Sequence, residues 1–143
     1  ATPPPPLLTR PAVTDTPRRG GRGGGSLLTE AFNAAIEIAT PGTPVGEANR
    51  VCNQILDRID LSRTRVHRIG YSLGLAYPPT WLEAMMVDEA DDHVFQPNMS
   101  FSIEPNLSLY SEGFGIKLGD TVLCGEQGSA SLSEIPPELT IID

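Results

Sequence analysis

Apolar residues change period along this chain. From Leu27 to Ala39, residues Leu28, Ala31, Phe32, Ala35, Ile36 and Ala39 recur at three- and four-residue steps, which predicts a helix with one apolar face. Thr40-Pro41-Gly42 ends it. Thr43 is the expected N-cap and Pro44 the expected first residue of a second helix running to about Asp60. Its buried stripe is Val45, Ala48, Cys52, Ile55, Leu56 and Ile59. Both stripes are aliphatic, so both helices read as scaffold. From Met99 the period becomes two: Met99, Phe101 and Ile103 share one strand face, and Ser100, Ser102 and Glu104 the other. Pro105-Asn106 interrupts this strand, Leu107 to Tyr110 resumes it, and Ser111-Glu112-Gly113 turns it back. Phe114, Ile116, Leu118, Asp120, Val122 and Cys124 then alternate with Gly115, Lys117, Gly119, Thr121 and Leu123, and Gly125 to Gly128 forms a tight turn. The pattern predicts an α+β domain, with two helices packed on an antiparallel strand meander.

Between the two periods lies HRIGYSLGLAYPPTW, from His67 to Trp81. It reads as a strand in which Gly70 and Gly74 mark close backbone approach or bending, and Pro78-Pro79 stops regular pairing. One His and one Tyr on such a strand suit the floor of a site. They equally suit a buried strand whose polar atoms are satisfied internally. Thr80 to Asp92 is expected to be irregular or weakly helical. Its acidic residues Asp88, Glu89, Asp91 and Asp92 lack the glycine and spacing of an EF-hand and read as a solvated turn.

Composition sets the ends apart. Residues 1–26 combine a proline run with RRGGRGGG and predict a disordered or degenerate segment outside a domain of residues 27–143. Arg interleaved with Gly also occurs in RNA-binding tails. Residues 1–26 hold four Arg against Asp15, whereas from Ile69 onward Lys117 alone opposes twelve acids. That acidic half repels phosphate, so a nucleic-acid partner is not expected. Cys52 and Cys124 belong to no CxxC or Cys/His cluster and are expected as buried thiols of a reducing compartment. No apolar run is long enough to span a bilayer, and no charged-then-apolar leader opens the sequence. A cytoplasmic protein without a membrane partner is the expectation.

Two helices, a glycine-punctuated strand with His, then FSIEPNL and GFGIKLGDTVL, resemble the pita-bread family of creatinase, aminopeptidase P, prolidase and methionine aminopeptidase. GYSLGLAYPPTWLE is most similar to its ectoine-hydrolase-like and Xaa-Pro dipeptidase-like branch. The resemblance covers residues 27 to 143, the C-terminal part of that fold. It implies a truncated, partial pita-bread domain, a hydrolase of C–N bonds and a homodimer as the commonly seen assembly.

In the family's metallopeptidases two Asp, one His and two Glu hold a pair of divalent metals. Carried over by resemblance, the first Asp precedes this chain and the second falls on Leu7, in a Leu7-Leu8-Thr9-Arg10 run like an eroded Asp-x-Thr-Arg. The metal His falls on Tyr71, the first Glu on Glu104, and the second Glu on Gly119, just before Asp120. His67 matches a substrate-side His; the other substrate-side His falls on Pro78. One ligand in five remains, so the dinuclear Mn, Co or Zn site is expected to be lost, with no metal or other cofactor. Creatinase-like members cleave C–N bonds without metal. By that resemblance His67 is the acid/base, Glu104 the carboxylate for a cationic small-molecule substrate, and Tyr71 a donor to developing oxyanion charge. Such a substrate is a small amidine, amide or dipeptide, ectoine among them. The alternatives are a core histidine with a buried remnant carboxylate, and a pseudoenzyme or non-catalytic binding module.

Overall fold

The computed structural model describes residues 12–13, 19–58, 68–77, 79–109, 113–137 and 140–141. Helix α1 spans Arg19–Ile38, so it starts at Arg19 rather than at Leu27. Glycine weakens an isolated helix by about 1 kcal/mol per residue, but packing decides here. Gly24 is buried, and a Cβ on it would meet Leu107 Cδ1 at 3.3 Å and Ile116 Cδ1 at 3.6 Å. Gly24 thus lets the helix sit close on Leu107 and Ile116, and a methyl group there would need Leu107 to give by a few tenths of an ångström. Part of the run expected to be disordered therefore forms the first turns of α1.

Helix α2 spans Val45–Leu56 and packs along α1. Its N-cap is Pro44, not Thr43, and no side chain caps it. The Val45 N–H instead donates to the His93 carbonyl at 3.0 Å, while the Thr43 hydroxyl pairs with that of Thr40 at 2.9 Å. A neighbouring loop thus supplies the acceptor that the sequence assigned to a side chain. The helix stops at Leu56, short of the expected Asp60, with Asp57 as C-cap.

Strands β2 (Gly70–Ser72), β3 (Ser100–Ile103), β6 (Asp120–Cys124) and β7 (Ser129–Ser131) form an antiparallel sheet in the order β2-β3-β6-β7. Strands β4 (Asn106–Leu109) and β5 (Phe114–Lys117) form a separate hairpin. The alternation from Phe114 to Cys124, continuous in sequence, is therefore divided at Leu118-Gly119 between two sheets. A short parallel pair joins β1 (Ala12–Val13) to β8 (Thr140–Ile141). Neither β7 nor this pair was foreseen. The Gly125–Gly128 turn is present, closed by a 2.7 Å bond from Gly125 N–H to the Gly128 carbonyl.

Register fixes the faces of the larger sheet. Phe101 pairs with Val122 and Ile103 with Asp120; Phe101, Ile103, Val122 and Cys124 are fully buried in one cluster with Leu28, Phe32, Ala35, Ala48 and Cys52 of the helices. The other face carries Tyr71, Ser102 and Thr121, which stand side by side across β2, β3 and β6. Cys52 and Cys124 are buried and share no disulfide. Among the described residues no helix is long and apolar enough to cross a membrane.

The segment after β2 is irregular, as expected, but two of its features are specific. Met85 and Val87 run beside β2, with Ser72 N–H bonding the Met85 carbonyl and Val87 N–H the Gly70 carbonyl, each at 3.0 Å. The acidic turn is not merely solvated. Asp91 accepts from Met86 N–H at 2.7 Å, His93 N–H at 2.8 Å and His93 Nδ1 at 2.7 Å. Burial works against its charge, yet these backbone donors and the His93 ring hold its carboxyl below the usual aspartate range.

Candidate active site

Glu104 follows β3 directly, and strand alternation places it on the face of Tyr71, Ser102 and Thr121. Its backbone is tied to the start of β2 by a 2.5 Å bond from Glu104 N–H to the Ile69 carbonyl. Gly70 permits this closeness: a Cβ there would lie 1.9 Å from the Ser102 carbonyl oxygen. The glycine therefore sets the spacing of the two strands that carry Tyr71 and Glu104.

The carboxylate is 9% exposed and its two oxygens differ. Oε2 accepts from Lys117 Nζ at 2.6 Å; Oε1 is buried, and no described residue donates to it. The Lys117 side chain, at the end of β5, is 45% exposed, and this is the one hydrogen bond its ammonium makes among the described residues. Tyr71 is buried and its hydroxyl accepts from Trp81 Nε1 at 3.1 Å, which leaves the phenolic proton to donate. Ser102 is buried between them, its Oγ 3.3 Å from Tyr71 N.

Of the three residues singled out in the sequence, the structure brings Tyr71 and Glu104 to one sheet face. His67 lies outside the described residues, as does Pro78. Lys117 and Trp81 were not foreseen as site residues. Lys117 did carry a signal, as the single cation against the acids of the second half. Asp120, beside the position of the lost Glu, pairs with Ile103 and so faces the helices. There its Oδ1 accepts from Thr121 N–H at 2.7 Å and its Oδ2 from the Ser131 hydroxyl.

Two cavities lie elsewhere. One of about 380 Å³ runs between Phe32, Ile36 and Glu37 of α1 and the Ser131–Pro137 segment. One of about 410 Å³ is lined by Ser72, Glu83, His93 and Ser100, among others. Neither includes Glu104 or Tyr71. Among the described residues no three His, Cys, Asp or Glu side chains are grouped so as to hold a metal ion.

Comparison with known proteins gives the family. The profile of metallopeptidase family M24 matches residues 26–126, and the chain belongs to that family. It is 31% identical over 118 residues to the probable dipeptidase PepE of Mycobacterium bovis, covering 82% of this chain and 30% of that protein. It is 28% identical over 117 residues to an ectoine hydrolase of Halomonas elongata, covering 81% of this chain and 29% of that one. The crystal structure of dipeptidase PepE from Mycobacterium ulcerans superposes with a TM-score of 0.85 at 25% identity, over 94% of this chain and 35% of the other. The architecture is therefore a partial pita-bread fold. The chain spans under a third of the length of these two curated relatives.

Proposed function

We propose that this chain carries the ligand-binding face of a metal-independent C–N hydrolase acting on a small amidine, amide or dipeptide. The supporting observation is the state of Glu104: one oxygen already neutralised by the protein's own ammonium, the other buried without a donor among the described residues. A buried carboxylate oxygen left unpaired is costly, by about 1–3 kcal/mol, and a ligand N–H removes that cost. The M24 membership and the ectoine hydrolase likeness favour such a substrate. In this reading His67 is the acid/base, Glu104 receives the nitrogen-bearing end of the substrate, and Tyr71 directs its free phenolic proton at developing oxyanion charge.

The donors do not fit the family's metal pair. Tyr71 and Gly119 stand at two ligand positions given by the resemblance, and the carboxylate that remains is bridged to Lys117. One carboxylate, with a competing ammonium on it, is a poor host for two divalent cations. A non-catalytic module of the same fold is the second reading, favoured by that same ion pair, which already gives Glu104 a partner.

Hydrolysis of ectoine, creatine and Xaa-Pro dipeptides, measured with chelator and with added Mn²⁺ or Co²⁺, tests this. Cleavage unaffected by chelator, and lost in His67→Ala without a change in melting temperature, is the expected result. Activity that appears only with added metal overturns the metal-free reading. Binding without cleavage under every condition selects the non-catalytic module.

A further inference from the structure

Trp81 reaches Tyr71 from an irregular segment, and a carboxylate two residues further on ties that segment down. Pairing with β3 ends one residue past β2, where Leu73 N–H bonds the Ser100 carbonyl at 2.9 Å. The chain then runs outward: Leu75 is 100% and Tyr77 85% exposed, so packing fixes neither. The tie on this leg comes from Glu83 on the returning leg. Its Oε1 accepts from Leu75 N–H at 2.6 Å and from Ala76 N–H at 3.0 Å, two successive amides on one anionic oxygen. The carboxylate lies against Gly74, where a Cβ would come within 2.9 Å of the same oxygen. Before Glu83, Trp81 gives its Nε1–H to the Tyr71 hydroxyl at 3.1 Å; after it, the Met85 carbonyl accepts from Ser72 N–H at 3.0 Å. Glu83 therefore anchors the stretch between these two contacts with β2.

The indole contact bears on the Tyr71 proton. A phenolic O–H prefers the plane of its ring and has two positions there. An N–H donor on one side takes the lone pair on that side and leaves the proton the other. Trp81 is more than half exposed, so burial does not hold the indole on Tyr71. We propose that Glu83 and Trp81 are positioning residues for Tyr71. Glu83 latches the two legs of the segment together, the latched segment holds Trp81 Nε1–H on the Tyr71 oxygen, and the phenolic proton is left in one orientation. This role rests on the reading of Tyr71 as the donor to developing oxyanion charge. It adds that the direction of donation is set from outside the sheet, by a carboxylate that does not touch Tyr71.

Trp81 is the single tryptophan of the sequence, so the ¹⁵N-labelled full chain gives one indole N–H signal. Exchange of that proton with water is expected to quicken by about tenfold in Tyr71→Phe, which removes the acceptor, and by about as much in Glu83→Ala. The double variant should exchange no faster than either single one, because both changes break the same contact. Glu83→Gln keeps an acceptor oxygen and should lie between wild type and Glu83→Ala. Wild-type exchange in Glu83→Ala, or factors that multiply in the double variant, overturns the latch. A thermal melt of each variant shows that faster exchange is not a loss of fold. In turnover of ectoine, creatine or an Xaa-Pro dipeptide, Trp81→Phe and Glu83→Ala should each lower kcat by about tenfold with KM little changed. Unchanged kcat in both overturns the positioning role. If Tyr71→Phe turns over normally, or wild type turns over nothing, the reading of Tyr71 as donor fails instead, and the indole exchange alone decides the latch.

Discussion

Phe101 and Ser102 are neighbours on β3 and both are buried, yet they meet different surroundings. Phe101 points into the hydrophobic cluster formed with the helices, with its ring centroid 4.9 Å from that of Phe95. Ser102 points to the side of Tyr71 and Glu104, where buried side chains carry oxygen. On the helix side the described residues pack into one hydrophobic cluster, and the buried Asp120 there is bonded to Thr121 N–H and the Ser131 hydroxyl. The Glu104 side holds a carboxylate oxygen with no donor among the described residues. Core and chemistry are thus separated by one pleat of one strand. The separation accounts for how Tyr71 and Gly119 can stand where the resemblance puts metal ligands while the fold persists: the Tyr71 ring is outside the helix-side cluster, and Gly119 has no side chain to add to it.

The largest expected effect comes from breaking both faces at once. Gly70→Ala puts a methyl group 1.9 Å from the Ser102 carbonyl oxygen, a backbone atom with nowhere to move without parting β2 from β3. A loss of about 3–5 kcal/mol in urea unfolding is expected, or no folded protein at all. A loss under about 1 kcal/mol would mean that the two strands are not held at this distance.

How much of this was readable in the residues follows the same division. The period of two from Met99 to Glu104 placed Phe101 in the core and Glu104 on the opposite face, because alternation is local and rigid. The helix start was misplaced because glycine propensity was overruled by contact with Leu107 and Ile116, side chains distant in sequence. Strand β7 reads Ser-Ala-Ser and has no apolar alternation to announce it; its pairing with β6 is a tertiary fact. The Lys117–Glu104 pair joins the end of one strand to the segment after another, and no periodicity encodes that meeting. Trp81 reaches Tyr71 from an irregular segment, where sequence pattern carries least information.

A middle-sized effect is expected beside β2, where the turn is organised by Asp91. Asp91→Asn deprives the Met86 and His93 N–H groups and the His93 ring of an anionic acceptor, for a loss of about 1–3 kcal/mol near neutral pH. The sign with pH follows from its depressed carboxyl. Its contribution is complete above the ordinary aspartate value of about 3.9 and is lost as pH falls through the lower value of the folded state. Melting temperatures from pH 6 to pH 2 should therefore fall less steeply in the variant than in wild type. Parallel acid limbs would show that Asp91 does not contribute through its charge.

The smallest effect on stability, and the sharpest on the comparison of faces, is expected from Tyr71→Phe. The ring keeps its buried position, and only the hydroxyl that receives the Trp81 N–H is lost. Trp81 is more than half exposed, so water can take up its N–H, and the cost should stay under about 1 kcal/mol. If the Tyr71 side is where the chemistry happens, turnover of any substrate found should nevertheless fall, by roughly a hundredfold, with KM little changed, since an oxyanion donor acts in the transition state rather than in the ground state. A variant that melts well below wild type would put Tyr71 among the groups that hold the fold. One that turns over normally would leave its hydroxyl the single task of holding Trp81.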